Sequence, residues 1–159
     1  MEVVATLLTD MPLDARAFRG LLVDVSRSSL AGAIAHDGLE ATHSFGEAER
    51  DSDARDVQVR CRPANTAQRA ALTELRKQGF EPATAVVFIT SGDADSREDA
   101  WFLVGLYAEE LRGWVVTSYL DFDEAAERMG NDEGLLHAPV GGKHKGVLIA
   151  ASALRLLTG

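Results

Sequence analysis

Two pairs of aspartates, Asp93-x-Asp95 and Asp121-x-Asp123, are the residues of this chain whose type and spacing come closest to chemistry. Each pair follows an apolar run, so both could stand at a sheet edge and offer oxygens to a hard divalent cation. With one of the four histidines (His36, His43, His137 and His144), Asp93, Asp95 and Asp121 would suit a small metal-assisted hydrolase or transferase. The histidines show no HxH or HExxH spacing, and neither aspartate pair lies in a calcium-loop pattern. The expectation is therefore no catalytic residue, no metal and no cofactor.

Other segments are weaker still. Thr90–Ser96 joins a strand to a helix start, where backbone N–H groups can receive an anion. It lacks the glycine spacing and the lysine of a phosphate loop, and Asp93 and Asp95 would repel phosphate. Ser96 and Asp99 fit a capping box instead. Gly141-Gly142-Lys143-His144-Lys145-Gly146 reads as a basic turn. Cys61, the only cysteine, alternates with Val57 and Val59 and so reads as a small buried apolar residue. His43 shares a strand face with Leu39 and Phe45 and reads as a core histidine bonded to backbone.

Acidity is the stronger signal. Gly46–Asp56 carries Glu47, Glu49, Asp51, Asp53 and Asp56 against two arginines; Asp121–Glu133 carries Asp121, Asp123, Glu124, Glu127, Asp132 and Glu133 against Arg128. Over the chain, 16 basic residues face 25 acidic ones, a formal charge of −9. Such a surface repels nucleic-acid phosphates within a Debye length of about 8–10 Å and attracts a basic protein. Glu47, Glu49, Asp51, Asp53, Asp121, Asp123, Glu124 and Glu127 are thus the expected partner-binding residues. No apolar run approaches the roughly 18–20 residues that span a bilayer, and no basic segment opens the chain. The expectation is a cytoplasmic protein with no nucleic-acid or membrane partner.

The elements that must position these residues are legible in the periodicity. Ala83–Ile89 reads as a strand. Ala100, Leu103, Val104, Tyr107, Ala108 and Leu111 then form one face of a helix, Gly113 stops it, and Trp114–Tyr119 reads as a second strand. Val3–Leu8 reads as a strand leading to a helix capped by Thr9 or Asp10. Asp37-Gly38 predicts a hairpin between Leu30–Ala35 and Leu39–Phe45, and Asp56–Arg62 alternates as a strand with one wet face. Asn65 or Thr66 would cap a helix reaching Gln78. Asp121–Met129 reads as an acidic helix, Leu135–Val140 and Val147–Ala150 as strands, and Ala151–Leu157 as a terminal helix. Hairpin-linked strands before a helix-rich half imply a single α+β domain over residues 1–159, with a mixed or mainly antiparallel sheet and helices on one face.

Phe88-Ile89-Thr90-Ser91-Gly92-Asp93 together with Trp101 to Val116 resembles the strand–helix–Gly–strand block of several small bacterial α+β families, some of them immunity proteins in toxin–antitoxin competition. The resemblance spans about 35 residues and carries no catalytic residue. It implies a non-catalytic acidic module that occludes a basic toxin or effector. Beside the metal-assisted enzyme stands one other alternative, a homo-oligomeric small-molecule sensor with Trp101, Tyr107 or Trp114 at an apolar pocket.

Overall fold

Short apolar and β-branched runs, punctuated by Gly and Asp turns, build eight strands and five α-helices in the computed structural model, which describes residues 1–46, 55–138 and 146–158. In chain order these are β1 (Glu2–Thr9), α1 (Ala15–Ser26), β2 (Ala33–Asp37), β3 (Glu40–Phe45), β4 (Arg55–Pro63), α2 (Arg69–Lys77) and β5 (Thr84–Thr90). There follow α3 (Ala94–Leu111), β6 (Trp114–Thr117), α4 (Phe122–Met129), β7 (Leu135–His137), β8 (Val147–Ala150) and α5 (Leu154–Thr158). The strands form one sheet in the order β2-β3-β4-β5-β1-β6-β8-β7, and every neighbouring pair is antiparallel. This is the α+β domain that hairpin-linked strands demand.

The strand–helix–strand unit β5-α3-β6 is split. Both strands pair with β1 and lie on either side of it, so they run parallel to each other without touching. Side chains alternate across the sheet. Leu7, Val86, Val115 and Ile149 fall in one pleat row and pack with α1, α3, α4 and α5 through Phe18, Leu103, Ala125 and Leu154. Their neighbours Leu8, Ala85, Val116 and Leu148 face the opposite way, onto Ala71, Leu72 and Leu75 of α2. Four helices thus share one face and the short α2 covers the other. The predicted stripe of α3, from Ala100 to Leu111, is buried at all six positions.

Helix starts differ from the sequence reading. α1 is capped by Asp14, whose carboxylate accepts from the N–H of Ala17 at 2.7 Å, so Pro12 precedes the helix and neither Thr9 nor Asp10 caps it. Thr9 is instead buried and donates to Leu111 O at 3.3 Å. Asn65 and Thr66 sit in a short 3-10 turn, Ala64–Thr66, and α2 starts only at Arg69. α3 starts at Ala94, capped by Asp93, and so runs longer than the apolar stripe alone implies. β6 ends at Thr117, short of Tyr119, and β7 ends at His137; of the expected strand Leu135–Val140, Pro139 and Val140 lie outside the described residues.

At the α3–β6 corner the backbone turns through Arg112, at φ 58°, and Gly113, at φ +105°. A Cβ on Gly113 would lie 2.1 Å from the carbonyl oxygen of Leu8. The stop signal read from the sequence is therefore also the point where the corner presses against the central strand.

Candidate functional site

Strand direction decides which loops meet. β5 and β6 run antiparallel to β1, and β4 antiparallel to β5. The C-terminal ends of β5 and β6, the N-terminal ends of β1 and β4, and the C-terminal end of β3 therefore lie at one end of the sheet. Glu2, Gly46, Arg55, Ser91–Asp95 and Tyr119–Asp123 are gathered there. In this group the acidic side chains are Glu2, Asp93, Asp95, Asp121 and Asp123, with Asp99 and Glu124 one turn into their helices.

Two of these carboxylates are engaged by the backbone of the helices they start. Asp93 Oδ1 accepts from the Ser96 N–H at 2.8 Å, and its Oδ2 accepts from the hydroxyls of Ser91 (2.6 Å) and Ser96 (2.9 Å). The Ser91 and Ser96 hydrogen bonds hold its carboxyl well down, at about 2. Ser96 is therefore the buried third residue of a helix capped by Asp93, rather than the cap itself. Asp99, expected to complete a capping box, is bonded to Arg55 Nε at 2.7 Å, which ties the start of β4 to α3. Asp121 Oδ1 accepts from the Glu124 N–H at 2.8 Å and caps α4, favoured further by Asp123 and Glu124 in the first turn.

Asp93, Asp95 and Asp121 do not come together as a metal site. Among the described residues, no three His, Cys, Asp or Glu side chains are arranged to hold an ion. The physical reason is that Asp93 and Asp121 each turn back onto the helix they start. Of the eight expected partner-binding residues, Asp123 and Glu127 are exposed on α4, and Asp121 and Glu124 are half-buried. Glu47, Glu49, Asp51 and Asp53 lie outside the described residues, as does most of the Gly141–Gly146 turn. Glu2 was missed. Its carboxylate accepts a hydrogen bond from the Tyr119 hydroxyl, and Arg97 lies 5.4 Å over the Tyr119 ring. Only the pairing of β1 with β6 brings residues so far apart in sequence together.

The titratable groups of the interior are tied down. His43 is fully buried, with Nδ1 2.8 Å from Ala31 O and Nε2 2.7 Å from the Tyr107 hydroxyl. A carbonyl only accepts, so Nδ1 carries the proton and Nε2 accepts from Tyr107. Burial lowers the His43 pKa, opposed by the bond to Ala31, and burial likewise raises Tyr107 far above the usual phenol range. The core histidine is as expected. Cys61 is buried, which pushes its thiol up to about 12. A thiol reagent is accordingly expected to label Cys61 only under denaturing conditions; rapid labelling of the native chain would contradict this packing.

The family models, curated proteins and solved structures compared with this chain include no match.

A second surface lies on the outer side of α3. Trp101, Phe102, Gly105, Leu106 and Glu109 line an open groove of about 790 Å³, with Leu30 and Leu157 on its walls. Phe102 is 47% exposed and Leu30 51%. Trp114 lines an adjoining groove with Phe80, Arg112 and Arg155, which shares Gly105 and Glu109 with the first, whereas Tyr107 is fully buried and faces neither. Gly105 is a mid-helix glycine without a positive φ, and a Cβ there would meet nothing within 4 Å. Such a glycine costs the helix about 0.5–1 kcal/mol relative to alanine, and no contact among the described residues requires it. No helix among the described residues is long and apolar enough to cross a membrane.

Proposed function

We propose that this chain is a non-catalytic acidic protein-binding module whose partner is a basic protein, and that it acts as an immunity-type inhibitor by occluding a basic groove of a toxin or effector. The observation that carries the reading is the convergence of Glu2, Asp93, Asp95, Asp121 and Asp123 at one end of the sheet. The net charge of −9 adds long-range attraction for a cationic partner. Asp93, Asp121, His43 and Cys61 are engaged in capping, core hydrogen bonding or burial, which also favours binding over turnover.

Asp95 and Asp123 are exposed, and neither is the capping residue of its helix. Reversing both, as Asp95→Lys/Asp123→Lys, should leave the fold intact. It should slow association with the basic partner protein by about tenfold at low ionic strength and flatten the salt dependence of the on-rate. Stopped-flow or surface-based kinetics over a salt series measures both. An unchanged on-rate and salt slope in the double variant would remove this end of the sheet from the binding surface.

A further inference from the structure

We propose that the groove around Trp114 binds a small phosphorylated aromatic molecule of the nucleoside monophosphate class. β6 begins at Trp114 and β8 ends at Ala150, and these two residues pair. They mark the end of the sheet opposite Glu2, Asp93 and Asp121, which stand at the start of β1 and beyond the ends of β5 and β6. The groove has a volume of about 760 Å³, the size of a small-molecule site, and Phe80, Trp114, Arg112, Arg155 and Glu109 are on its walls.

Two arginines without an acid partner set its charge. Arg112 and Arg155 are exposed, and neither is ion-paired with a described residue, whereas Arg27, Arg55, Arg60, Arg62, Arg76 and Lys77 all are. The adjoining groove over α3 also holds two arginines, Arg97 and Arg128. There Glu98 and Glu109 balance them, and Arg97 is held over Tyr119. Around Trp114 two cations face one carboxylate, in a chain whose net charge is −9.

Arg112 occupies its place against the preference of the backbone. It ends α3 at φ 58° and ψ −169°, and no other non-glycine among the described residues has a positive φ. That region of backbone space is open essentially only to glycine. Glycine would suit the corner better; what arginine adds is a guanidinium on the wall of the groove.

These groups define the ligand. Guanidinium groups bind phosphate oxygens through parallel N–H···O bonds. A phosphate monoester carries a charge of about −1.5 to −2 near neutral pH, which two arginines match. Trp114 and Phe80, both half-buried, offer ring surface to a planar base. Glu109 only accepts hydrogen bonds, and the ribose hydroxyls or base amines of a nucleotide are the donors it calls for. Inorganic phosphate would leave the rings and Glu109 unused, and an aromatic carboxylate would leave one arginine uncompensated. The groove is remote from the acidic end of the sheet, so this proposal and the basic protein partner stand or fall independently.

Isothermal titration of the full chain with AMP, GMP, CMP and UMP at about 0.15 M salt tests the proposal. At least one is expected to bind with a micromolar Kd, and its nucleoside and inorganic phosphate at least tenfold more weakly. Arg155→Gln should weaken binding at least tenfold without lowering the thermal midpoint, because the side chain is exposed. Arg112→Gly should weaken binding as much while raising the midpoint by about 2–4 °C, since it relieves the positive φ. An arginine with only a structural role would not separate the two readouts. Should the corner variant lose stability, Arg155→Gln still decides. No binding by any of the four monophosphates overturns the proposal, and so does binding that survives both substitutions. Inorganic phosphate or benzoate binding as tightly as the best nucleotide would overturn the ligand class.

Discussion

Gly113→Ala is expected to destabilise the protein by about 4 kcal/mol or more. The new Cβ would lie 2.1 Å from Leu8 O, 3.1 Å from Leu8 C and 3.2 Å from Thr9 Cα. All three are backbone atoms of β1, so no side-chain rotation relieves the overlap. β1 itself is held on both edges by β5 and β6 and cannot retreat without breaking a ladder. The residue also sits at φ +105°, where an L side chain is strained even in open space. Its carbonyl accepts from the Ala151 N–H at 2.9 Å, so displacing the corner also disturbs the start of the C-terminal segment.

The control is Gly105→Ala, where a Cβ meets nothing within 4 Å and φ is not positive. That change should stabilise the folded chain by about 0.5–1 kcal/mol through helix propensity alone. Urea denaturation midpoints of the two variants should therefore move in opposite directions. A Gly113→Ala protein within about 1 kcal/mol of wild type would show that the α3–β6 corner does not approach β1 this closely.

The second large effect belongs to the His43–Tyr107 pair. Removing the hydroxyl in Tyr107→Phe leaves His43 Nε2 buried without its donor and is expected to cost about 1–3 kcal/mol. The same pair gives stability a pH dependence of defined sign. His43 titrates below its unfolded value of 6.5 because burial disfavours the cation. Between that lower folded value and 6.5 the unfolded chain binds the proton and the folded chain does not. Stability is therefore complete above about pH 6.5 and falls as the pH drops through that region, levelling only below the folded pKa.

Asp93 acts in a separate, more acidic window. Its carboxyl is lowered from 3.8 to about 2, so its contribution is present above 3.8 and is lost as the pH falls toward 2. Denaturation midpoints measured between about pH 8 and about pH 5 isolate the histidine. The slope in that range should shrink in a His43→Leu/Tyr107→Phe variant, which removes both partners. A slope that persists unchanged would assign the acid sensitivity to groups other than this pair.

The two effects mark the boundary between local and tertiary information. Asp37-Gly38 announced a hairpin, although the two-residue turn is Gly38-Leu39: Asp37 pairs with Glu40, Leu39 is drawn out of the expected strand, and Leu30 lies in a 3-10 turn before β2. Val57, Val59 and Cys61 alternated because one face of β4 is buried, and the stripe from Ala100 to Leu111 followed the helical repeat for the same reason. Gly113 could be read as a stop, Asp121–Gly130 as a capped helix, and His43 as a core residue, each from its immediate neighbours.

What lay beyond the sequence was every relation between distant segments. Asp93 rather than Ser96 caps α3, because the Ser96 side chain is taken into the interior. Asp99 pairs with Arg55 across 44 positions, and Glu2 meets Tyr119 across 117. Neither pairing has a local pattern to announce it. The insertion of β1 between β5 and β6, and the placement of α2 on the face opposite the other helices, follow from burying both faces of the sheet at once. That requirement is collective, whereas periodicity is local. The sequence by itself determined the strands, the helices and the acidity; the tertiary structure decided which acidic ends meet.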